Sequence, residues 1–469
     1  MSRYDGKRTA ISAALGVAFA TFAGTAGASA FQLIEQNATG LGNAYAGQAA
    51  AAEDASTIFY NPAGLSRLPG ATAVGSVSLV KPKIDFKDSA SCVPYLGVGA
   101  GTSACPFGAV GNLGHAPGGN GGDPGGVAAL PAAYFSWEAA TGRLWLGLGI
   151  NAPFGLTTDW DSGWIGRFQA LKSEVQTINV NPTVAWKINN VVAVGAGVNA
   201  QRLSAELSNS VSYRAVALAS GVPAIIGATP AGAEGVATVK GDDLAWGWNA
   251  GVTFDLSSAT RLGVAYRSSI KYRLDGDVTF ADRPAALAVV PQVADGNVTA
   301  EIKIPATLSV ALAQQVGSQV QLLADWTWTG WNSIQDLTIV RSSGPLSGQT
   351  LASTPLRFKN TWRAGLGANF QVNPAWKVRG GLAYDRSPVR DEFRTPRLPD
   401  NDRKWIAVGA QWAFAPNAAL DFGYAYLIVK DGSSNLANQE TATSAPKGSL
   451  VGTYKSNVNI LSAQVRWAF

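Results

Sequence analysis

The sequence predicts an all-β fold, a 14-stranded antiparallel transmembrane β-barrel. The first observation is the composition: 47% of the 469 residues are hydrophobic and only 14% are charged, whereas soluble domains carry roughly 25% charged residues. The 53 glycines and 15 tryptophans disfavour helices and favour strands. The second observation is an export signal with no membrane-spanning helix after it, and the third is a repeated alternation of apolar and polar residues.

Residues 1–30 are predicted to form a secretory signal peptide. A basic start is followed by an apolar run over 10–23 and by the small residues of a cleavage site at 28–30. The rest of the chain has no run of the roughly 18 to 20 apolar residues that a spanning helix needs. Only helices and closed barrels satisfy every backbone N–H and C=O group inside lipid, so the exported chain is predicted to form a barrel in the bacterial outer membrane.

The strands of this barrel are predicted from a period of two. In the clearest run, Leu244 to Asp255, large apolar residues alternate with small or polar ones. Such alternation places all the large apolar side chains on one face of a strand. Fourteen runs of this kind begin near Ala71, Val127, Arg143, Ser173, Val191, Gly241, Thr260, Asn297, Gln319, Leu356, Ala375, Asp402, Ala418 and Val451.

The connections between the runs alternate in length. The long ones cover about 81–126, 154–172, 208–240, 275–296, 342–355, 388–401 and 431–449. Short periplasmic turns alternating with long outer loops, and an even number of strands, are typical of outer-membrane barrels and have no reason to occur in a sandwich. The chain also ends on an aromatic residue, Phe469, as such barrels do. Residues 71–469 are therefore predicted to be the barrel.

Residues 31–70 are predicted to be an N-terminal hatch, or plug, inside the lumen. The segment shows no two-residue alternation, is rich in glycine and alanine, and yet contains several large apolar residues. A barrel of 14 strands is wide enough to leave an aqueous passage unless something fills it. Lumen-facing charges of both signs are expected to tie hatch to wall rather than contact ligand. By strand parity they are Arg267, Glu301, Asp325, Arg363, Arg379, Asp385, Asp421 and Arg466.

Three segments of this hatch resemble the N-terminal hatch of the FadL/TodX family, namely Phe31–Gln36, Gly40–Gly47 and Asp54–Leu65. Further matches, among them Trp246–Gly251 and Leu398–Arg403, extend the resemblance over essentially the whole mature chain. The family comprises outer-membrane transporters for long-chain fatty acids and other hydrophobic compounds. The resemblance therefore implies capture of a hydrophobic small molecule in an outer groove, an inner pocket near the hatch, and sideways exit into the outer-membrane lipid through a kinked third strand.

The candidate lateral gate consists of Asn151, Pro153, Phe154 and Gly155, which break a regular run. Proline removes a ladder donor and glycine marks bulges, so pairing is expected to stop there. The alternative is an ordinary strand end at a loop. In the hatch, the motif Asn61, Pro62 and Ala63 is predicted to form a turn that acts as a conformational element. It carries no titratable group.

Apolar loop residues are the candidate substrate contacts, because an exposed apolar groove with polar edges is a binding-site signature. They are Trp160, Trp164, Ile165 and Phe168 in one loop and Leu218 and Ile225 in another, together with Phe31 of the hatch. The alternative is that the two loops pack on each other as a lid. A carboxylate head group would need cations, for which Arg357, Lys359 and Arg363 are nominated.

The remaining chemistry is sparse. Cys92 and Cys105 are expected to form a structural disulfide worth roughly 3 kcal/mol rather than a metal or redox pair. His115 is the single histidine, so no enzyme activity, metal or cofactor is expected. A net charge of +5 spread over the chain predicts no nucleic-acid partner. A filled barrel needs no partner, which predicts a monomer. The alternatives are a general diffusion porin, a structural or adhesive barrel, and a family member specialised for aromatic or alkane hydrocarbons.

Overall fold

The computed structural model describes residues 30–94, 113–140, 142–436 and 447–469. Fourteen strands, six of them interrupted, make up the wall. They are β1 Ala71–Asp88, β2 Ala128–Ala140, β3 Leu144–Asn151 and Gly155–Asp159, β4 Lys172–Lys187, β5 Val192–Ser212, β6 Glu234–Asp255, β7 Thr260–Arg267 and Ile270–Phe280, β8 Gly296–Ile304 and Thr307–Val316, β9 Val320–Thr329 and Asp336–Arg341, β10 Thr350–Pro355 and Thr361–Asn373, β11 Trp376–Asp385, β12 Arg403–Ala415, β13 Ala418–Val429 and Gly432–Leu436, and β14 Leu450–Ala468.

The predicted antiparallel barrel is confirmed. Each strand pairs with the next one along the chain, and β1 pairs with both β2 and β14, which closes the sheet. Large apolar side chains such as Trp246, Leu366 and Phe422 are exposed on its outside, where lipid would cover them. In the described residues, none of the helices has the length and apolar character to cross a membrane. The predicted signal peptide falls outside the described residues apart from Ala30.

Several strands are longer than predicted at the end where the long loops lie. β1 continues to Asp88 and β5 to Ser212, although loops were expected from 81 and 208 onward. β6 begins at Glu234 instead of near Gly241. Beyond the lipid the outer face of a strand can be polar, so the apolar alternation ends while the backbone ladder continues.

One predicted lumen-facing charge is wrong. Glu301 points outward, where its carboxylate lies 2.7 Å from Nζ of Lys271. The residues between the two segments of β8, Pro305 and Ala306, interrupt the strand. Even-numbered residues face inward before this break and outward after it. A strict period of two, applied across the break, therefore assigns the wrong face.

Residues 30–70 pack inside the barrel as a compact unit. The segment contains three short helices, α1 (Ala38–Leu41), α2 (Gln48–Ala51) and α3 (Thr57–Tyr60), followed by a 3₁₀-helix at Pro62–Arg67. Wall glycines allow its close approach: a Cβ on Gly263 would overlap the carbonyl oxygen of Ala49. Two further helices, α4 (Tyr213–Ser220) and α5 (Pro223–Ala228), lie in the loop between β5 and β6. Short 3₁₀ turns occur at Ala285–Leu287, Pro291–Val293, Trp331–Ser333 and Asp391–Phe393.

Candidate functional site

Charged contacts hold the hatch to the wall. Oε2 of Glu53 accepts hydrogen bonds from Nζ of Lys377 and Nη2 of Arg379, both at 2.9 Å, and Arg379 also contacts Asp421 at 2.8 Å. Burial opposes ionisation of Glu53, but the two cations outweigh it and lower the pKa of its carboxyl. On the other side of the hatch, Arg267 donates to the carbonyl of Phe59 at 2.9 Å. These contacts agree with the expectation that lumenal charges tie hatch to wall.

The Asn61, Pro62 and Ala63 motif forms a turn that is bound to the wall. Nδ2 of Asn61 donates to the carbonyls of Ala49 at 2.7 Å and Val252 at 3.1 Å, while its Oδ1 accepts from the N–H of Ala63 at 3.1 Å. Pro62 begins the 3₁₀-helix, a position where a missing N–H costs nothing. The side chain of Asn61 therefore satisfies the turn and its wall contact together.

An apolar cavity, the inner cavity, lies beside the start of the hatch. Its wall includes Phe31, Leu156, Val175, Leu274 and Phe358. The ring of Phe31 packs in an aromatic cluster, with ring centroids 5.8 Å from that of Phe154 and 5.0 Å from that of Trp331. Its lining is nearly all carbon, which suits a hydrophobic ligand. Phe31, a candidate substrate contact, lies in the wall of this cavity.

A second cavity, the outer cavity, lies toward the long loops. Residues such as Leu207, Val239 and Ile339 line both it and the inner cavity, so the two adjoin. Arg397, in the loop between β11 and β12, also lines both. The adjoining cavities provide an apolar route from the loops to the hatch, with a guanidinium at their junction.

Arg397 was not predicted, and it is a cation that lines both cavities of the apolar route. Its Nη1 donates to Oγ of Ser173 at 3.0 Å and to the carbonyl of Lys172 at 3.2 Å, and its Nη2 donates to Oδ1 of Asn209 at 3.2 Å. The ion pairs of the described residues do not include it. Burial lowers the pKa of Arg397 to about 10, which leaves it charged at neutral pH. The neutral partners position the guanidinium without neutralising it.

Lys447 lies near Arg397 in the loop before β14 and lines the outer cavity with it. Burial, and then the charge of Arg397, lower the pKa of the Lys447 ammonium to about 8. Two neighbouring cations beside an apolar surface form an electrostatic site for an anionic head group. The only sequence signal for this pair was the position of Arg397 directly before the family-matching segment Leu398–Arg403.

The nominated cations lie elsewhere. Arg357 is half-exposed and pairs with Asp336 at 3.2 Å, and Lys359 lines neither apolar cavity. Arg363 pairs with Asp325 at 3.2 Å and lines a different cavity between hatch and wall, which contains several charged side chains. The direction of a side chain decides which cavity it reaches, and the sequence alone does not contain that direction.

The aromatic loop residues do not form the exposed groove that was expected. Trp160, Trp164, Ile165 and Phe168 are all buried. Trp160 and Trp164 stack with ring centroids 4.2 Å apart, and Phe86 of β1 packs against both. Apolar side chains of a loop gain more from packing together than from facing water, so this loop folds back on itself. The alternative of a packed lid describes these residues better.

The second predicted loop contributes through a neighbouring residue. Leu218 is half-buried and Ile225 packs against the loop cluster, but neither lines the inner or outer cavity. Val216 of α4 lines the outer cavity instead. Successive residues of a helix point about 100° apart, so positions 216 and 218 face different ways. The loop that was singled out thus reaches the outer cavity through Val216, and not through Leu218 or Ile225.

The wall opens at the predicted kink. β3 is interrupted between Asn151 and Gly155, and its pairing with β2 ends at Ile150. The second segment of β3 pairs with β4, and no ladder of the described strands joins it to β2. Leu156 of this segment lines the inner cavity. The interruption is therefore a gap in the wall beside that cavity, rather than only the end of a strand.

The start of the hatch covers this gap. The N–H of Leu33 donates to the carbonyl of Pro153, and the N–H of Gly155 donates to the carbonyl of Phe31, each at 2.8 Å. The side-chain amide of Gln36 adds a bond to the carbonyl of Ala152 at 2.9 Å. The hatch thus supplies the backbone partners that β2 does not.

Two remaining sequence features have ordinary surroundings. His115 is buried, and its Nε2 lies 2.7 Å from Oγ of Ser212. Cys92 forms an isolated bridge with Ser449, while Cys105 lies outside the described residues, so the disulfide remains a prediction. The described residues contain no cluster of His, Cys, Asp and Glu that could hold a metal ion.

A closed barrel with a filled lumen, an apolar inner cavity and a gap in the lipid-facing wall defines an outer-membrane transport protein for hydrophobic compounds. The chain belongs to the outer membrane protein transport protein family (OMPP1/FadL/TodX), whose model matches residues 19–469.

Relatives share nearly the full length. The chain is 32% identical over 455 residues to the "47 kDa outer membrane protein" of Pasteurella multocida, covering 95% of this chain and 97% of that protein. It is 28% identical to the "Long-chain fatty acid transport protein" of Escherichia coli O6:H1, covering 88% and 90%. A crystal structure of a Pseudomonas aeruginosa FadL homologue superposes with a TM-score of 0.81 at 26% identity, covering 93% and 99%.

Proposed function

We propose that this protein takes up long-chain fatty acids, and that they leave the barrel sideways through the gap in β3. The observation that carries the proposal is the position of Arg397, a charged side chain at the junction of two apolar cavities. A hydrocarbon would need no such group. An amphiphile with one carboxylate and a long apolar tail matches both features.

The energetics favour an anionic head group at this junction. A carboxylate that leaves water unpaired loses several kcal/mol, whereas a charge-assisted bond to a guanidinium offsets that loss. Each CH₂ group of the tail gains about 0.8 kcal/mol on burial in the inner cavity. Head and tail together therefore specify a fatty acid that is oriented with its tail toward Phe31.

The sideways exit follows from what surrounds the inner cavity. The cavity between hatch and wall is polar and includes Arg267, Asp325, Arg363 and Asp385. A tail moving through it would surrender the free energy gained on burial. A tail moving past Leu156 into lipid keeps that free energy. The apolar path through the wall is thus the lower-energy route.

Substrate and gap are coupled through the hatch. Phe31 lines the inner cavity with its side chain, and its carbonyl accepts the bond from Gly155 that covers the gap. A tail that displaces Phe31 would break this bond and uncover the opening. The name of the Escherichia coli relative, a long-chain fatty acid transport protein, agrees with the proposed substrate.

The test is uptake by cells that lack their own long-chain fatty acid transporter and express this protein. Labelled palmitate and labelled hexadecane have tails of similar length and differ in the carboxylate, so they form a matched pair. We expect palmitate to accumulate well above the level of cells carrying an empty vector. If hexadecane accumulates and palmitate does not, the substrate is a hydrocarbon. If a labelled sugar enters equally fast, the protein is a porin.

A further inference from the structure

The outer face of β1 changes from apolar to basic along its length. Val77 and Leu79 are exposed, and the next outward residues are Lys81, Lys83, Asp85 and Lys87. Lys81 therefore marks the edge of the lipid-facing surface on this strand. The change occurs toward the end of the barrel that carries the long loops, which is the outer side of the membrane.

Neighbouring strands continue this basic surface. In the ladder between β1 and β14, Leu79 is opposite Leu461 and Asp85 is opposite Lys455, which is exposed. On the next two strands, an exposed lysine lies beyond the last outward apolar residue at the same end of the barrel. Lys430 lies beyond Ile428 of β13, and Lys404 lies beyond Ile406 of β12. We call the six residues Lys81, Lys83, Lys87, Lys404, Lys430 and Lys455 the lysine band.

Ion pairs are scarce in the lysine band, although Asp85 lies among its lysines and opposite Lys455. Within the described part of the chain, Lys83 is its one member in an ion pair, a fully exposed contact with Asp85 at 3.6 Å. Exposed pairs of this kind contribute little. Six like charges held on adjacent strands repel one another, which favours recruitment of an external anion.

The opposite side of the barrel is built differently at the same height above the lipid. There Arg202 pairs with Asp242 at 3.1 Å, Lys240 with Glu206 at 3.2 Å, and Lys271 with Glu301 at 2.7 Å. Within the described residues, three basic residues above the apolar surface are thus in ion pairs on that side of the barrel, whereas Lys83 is the one member of the lysine band in an ion pair. The basic side includes β1, whose pairing with β2 ends at Val80.

We propose that the lysine band binds the phosphate groups of phosphorylated lipids in the outer leaflet. A lipid matches both halves of the surface, because its phosphates meet the lysines while its acyl chains cover the apolar residues directly below, such as Leu79 and Leu461. Basic residues close to an anionic membrane surface each contribute attraction that salt screens. The site lies outside the barrel and is independent of the transported substrate.

The test titrates delipidated protein in a neutral detergent with diphosphorylated lipid A, with its dephosphorylated form and with inorganic phosphate, in the presence of EDTA. Native mass spectrometry counts the bound lipids. The band variant is Lys81→Gln/Lys87→Gln/Lys455→Gln. The control is Arg202→Gln/Lys240→Gln/Lys271→Gln, which removes the same number of positive charges from the paired side.

We expect the phosphorylated lipid to bind at least about tenfold more tightly than the dephosphorylated one, and the band variant, but not the control, to lose this preference. Equal binding of both lipids by the unaltered protein would overturn the proposal, as would equal losses in the two variants. Inorganic phosphate competing at the same concentration as the lipid would indicate a site for free anions instead.

A second measurement uses the unaltered protein, so it does not depend on whether a variant folds. Binding of the phosphorylated lipid to the unaltered protein should weaken steeply between 50 and 500 mM NaCl. The reason is that salt screens the attraction between exposed lysines and phosphate groups. Binding that is unaffected by salt would contradict recognition by the lysine band.

Discussion

Replacing Arg397 with methionine tests the proposed head-group site most selectively. Methionine keeps the length and apolar surface of the arginine stem but removes the guanidinium at the junction of the cavities. The change also removes the bonds from Arg397 to Ser173, Lys172 and Asn209, all of which lie near the outer loops rather than in the hatch. The barrel and its hatch contacts should therefore remain intact.

The size of the effect follows from the bond that is lost. A hydrogen bond to a charged group contributes about 1.5–3 kcal/mol, so fatty acid affinity should fall roughly 10- to 150-fold. A neutral alkane of the same chain length makes no such bond, and its affinity should change by less than about twofold. The ratio of the two affinities, rather than either value, reports the role of the charge.

The assay is displacement of a fluorescent fatty acid from purified protein, with uptake measured in parallel. Arg397→Lys should retain part of the affinity because the charge remains. Arg357→Met is the matched control, since Arg357 is half-exposed, pairs with Asp336 and lines neither apolar cavity. Equal losses for acid and alkane, or equal losses in the two methionine variants, would refute a head-group site at Arg397.

Two further predictions concern the loop lysine and the hatch. Lys447 has a pKa of about 8, so it is protonated below that pH and loses its charge above it. Fatty acid affinity should be constant from pH 6.5 to 7.5 and fall as the pH rises toward 9.5, and Lys447→Arg should abolish the fall. A parallel fall in that variant would contradict a role for the charge of Lys447 in fatty acid binding. Glu53→Gln leaves Lys377 and Arg379 without their shared carboxylate, and breaking a buried pair costs about 3–5 kcal/mol. Single-channel recordings should show frequent openings in this variant and none in the control Glu392→Gln, which changes an exposed loop residue. A Glu53→Gln channel without openings would show that the Glu53 carboxylate does not retain the hatch.

The barrel could be predicted from sequence because its signals are local. Alternation such as that of Leu244 to Asp255 and the turns between strands need no knowledge of the rest of the fold. The gap at Pro153 and Gly155 was predictable for the same reason, since each residue acts on its own strand. The direction of the side chains of β8 could not be predicted in this way, because the interruption at Pro305 reverses which face of the wall each residue occupies.

The substrate site was only partly predictable because it depends on packing between distant segments. Phe31, nominated as a substrate contact, lines the inner cavity. Trp160 and Trp164 are buried in a loop cluster that only the folded structure brings together with Phe86. Arg397 is one arginine among many in the sequence. Its significance arises from the cavities that it joins and from partners that are neutral, neither of which a linear pattern contains.

The most direct test of the central claim locks the hatch against the gap. Gln32 and Phe154 form an isolated antiparallel bridge, and the flanking residues make its two backbone bonds. The pair is therefore of the non-hydrogen-bonded type, in which side chains approach most closely and a disulfide fits. The double variant Gln32→Cys/Phe154→Cys should form a disulfide that can be reduced again. Each single variant and the unaltered protein, with and without reductant, serve as controls.

The measurement is uptake of labelled palmitate by cells carrying the oxidised double variant, before and after reduction. If substrates leave through the gap that the start of the hatch covers, uptake should fall at least about tenfold on oxidation and recover on reduction, while the single variants stay unchanged. Uptake by the fully cross-linked protein at the same rate as after reduction of the disulfide would contradict exit through this gap.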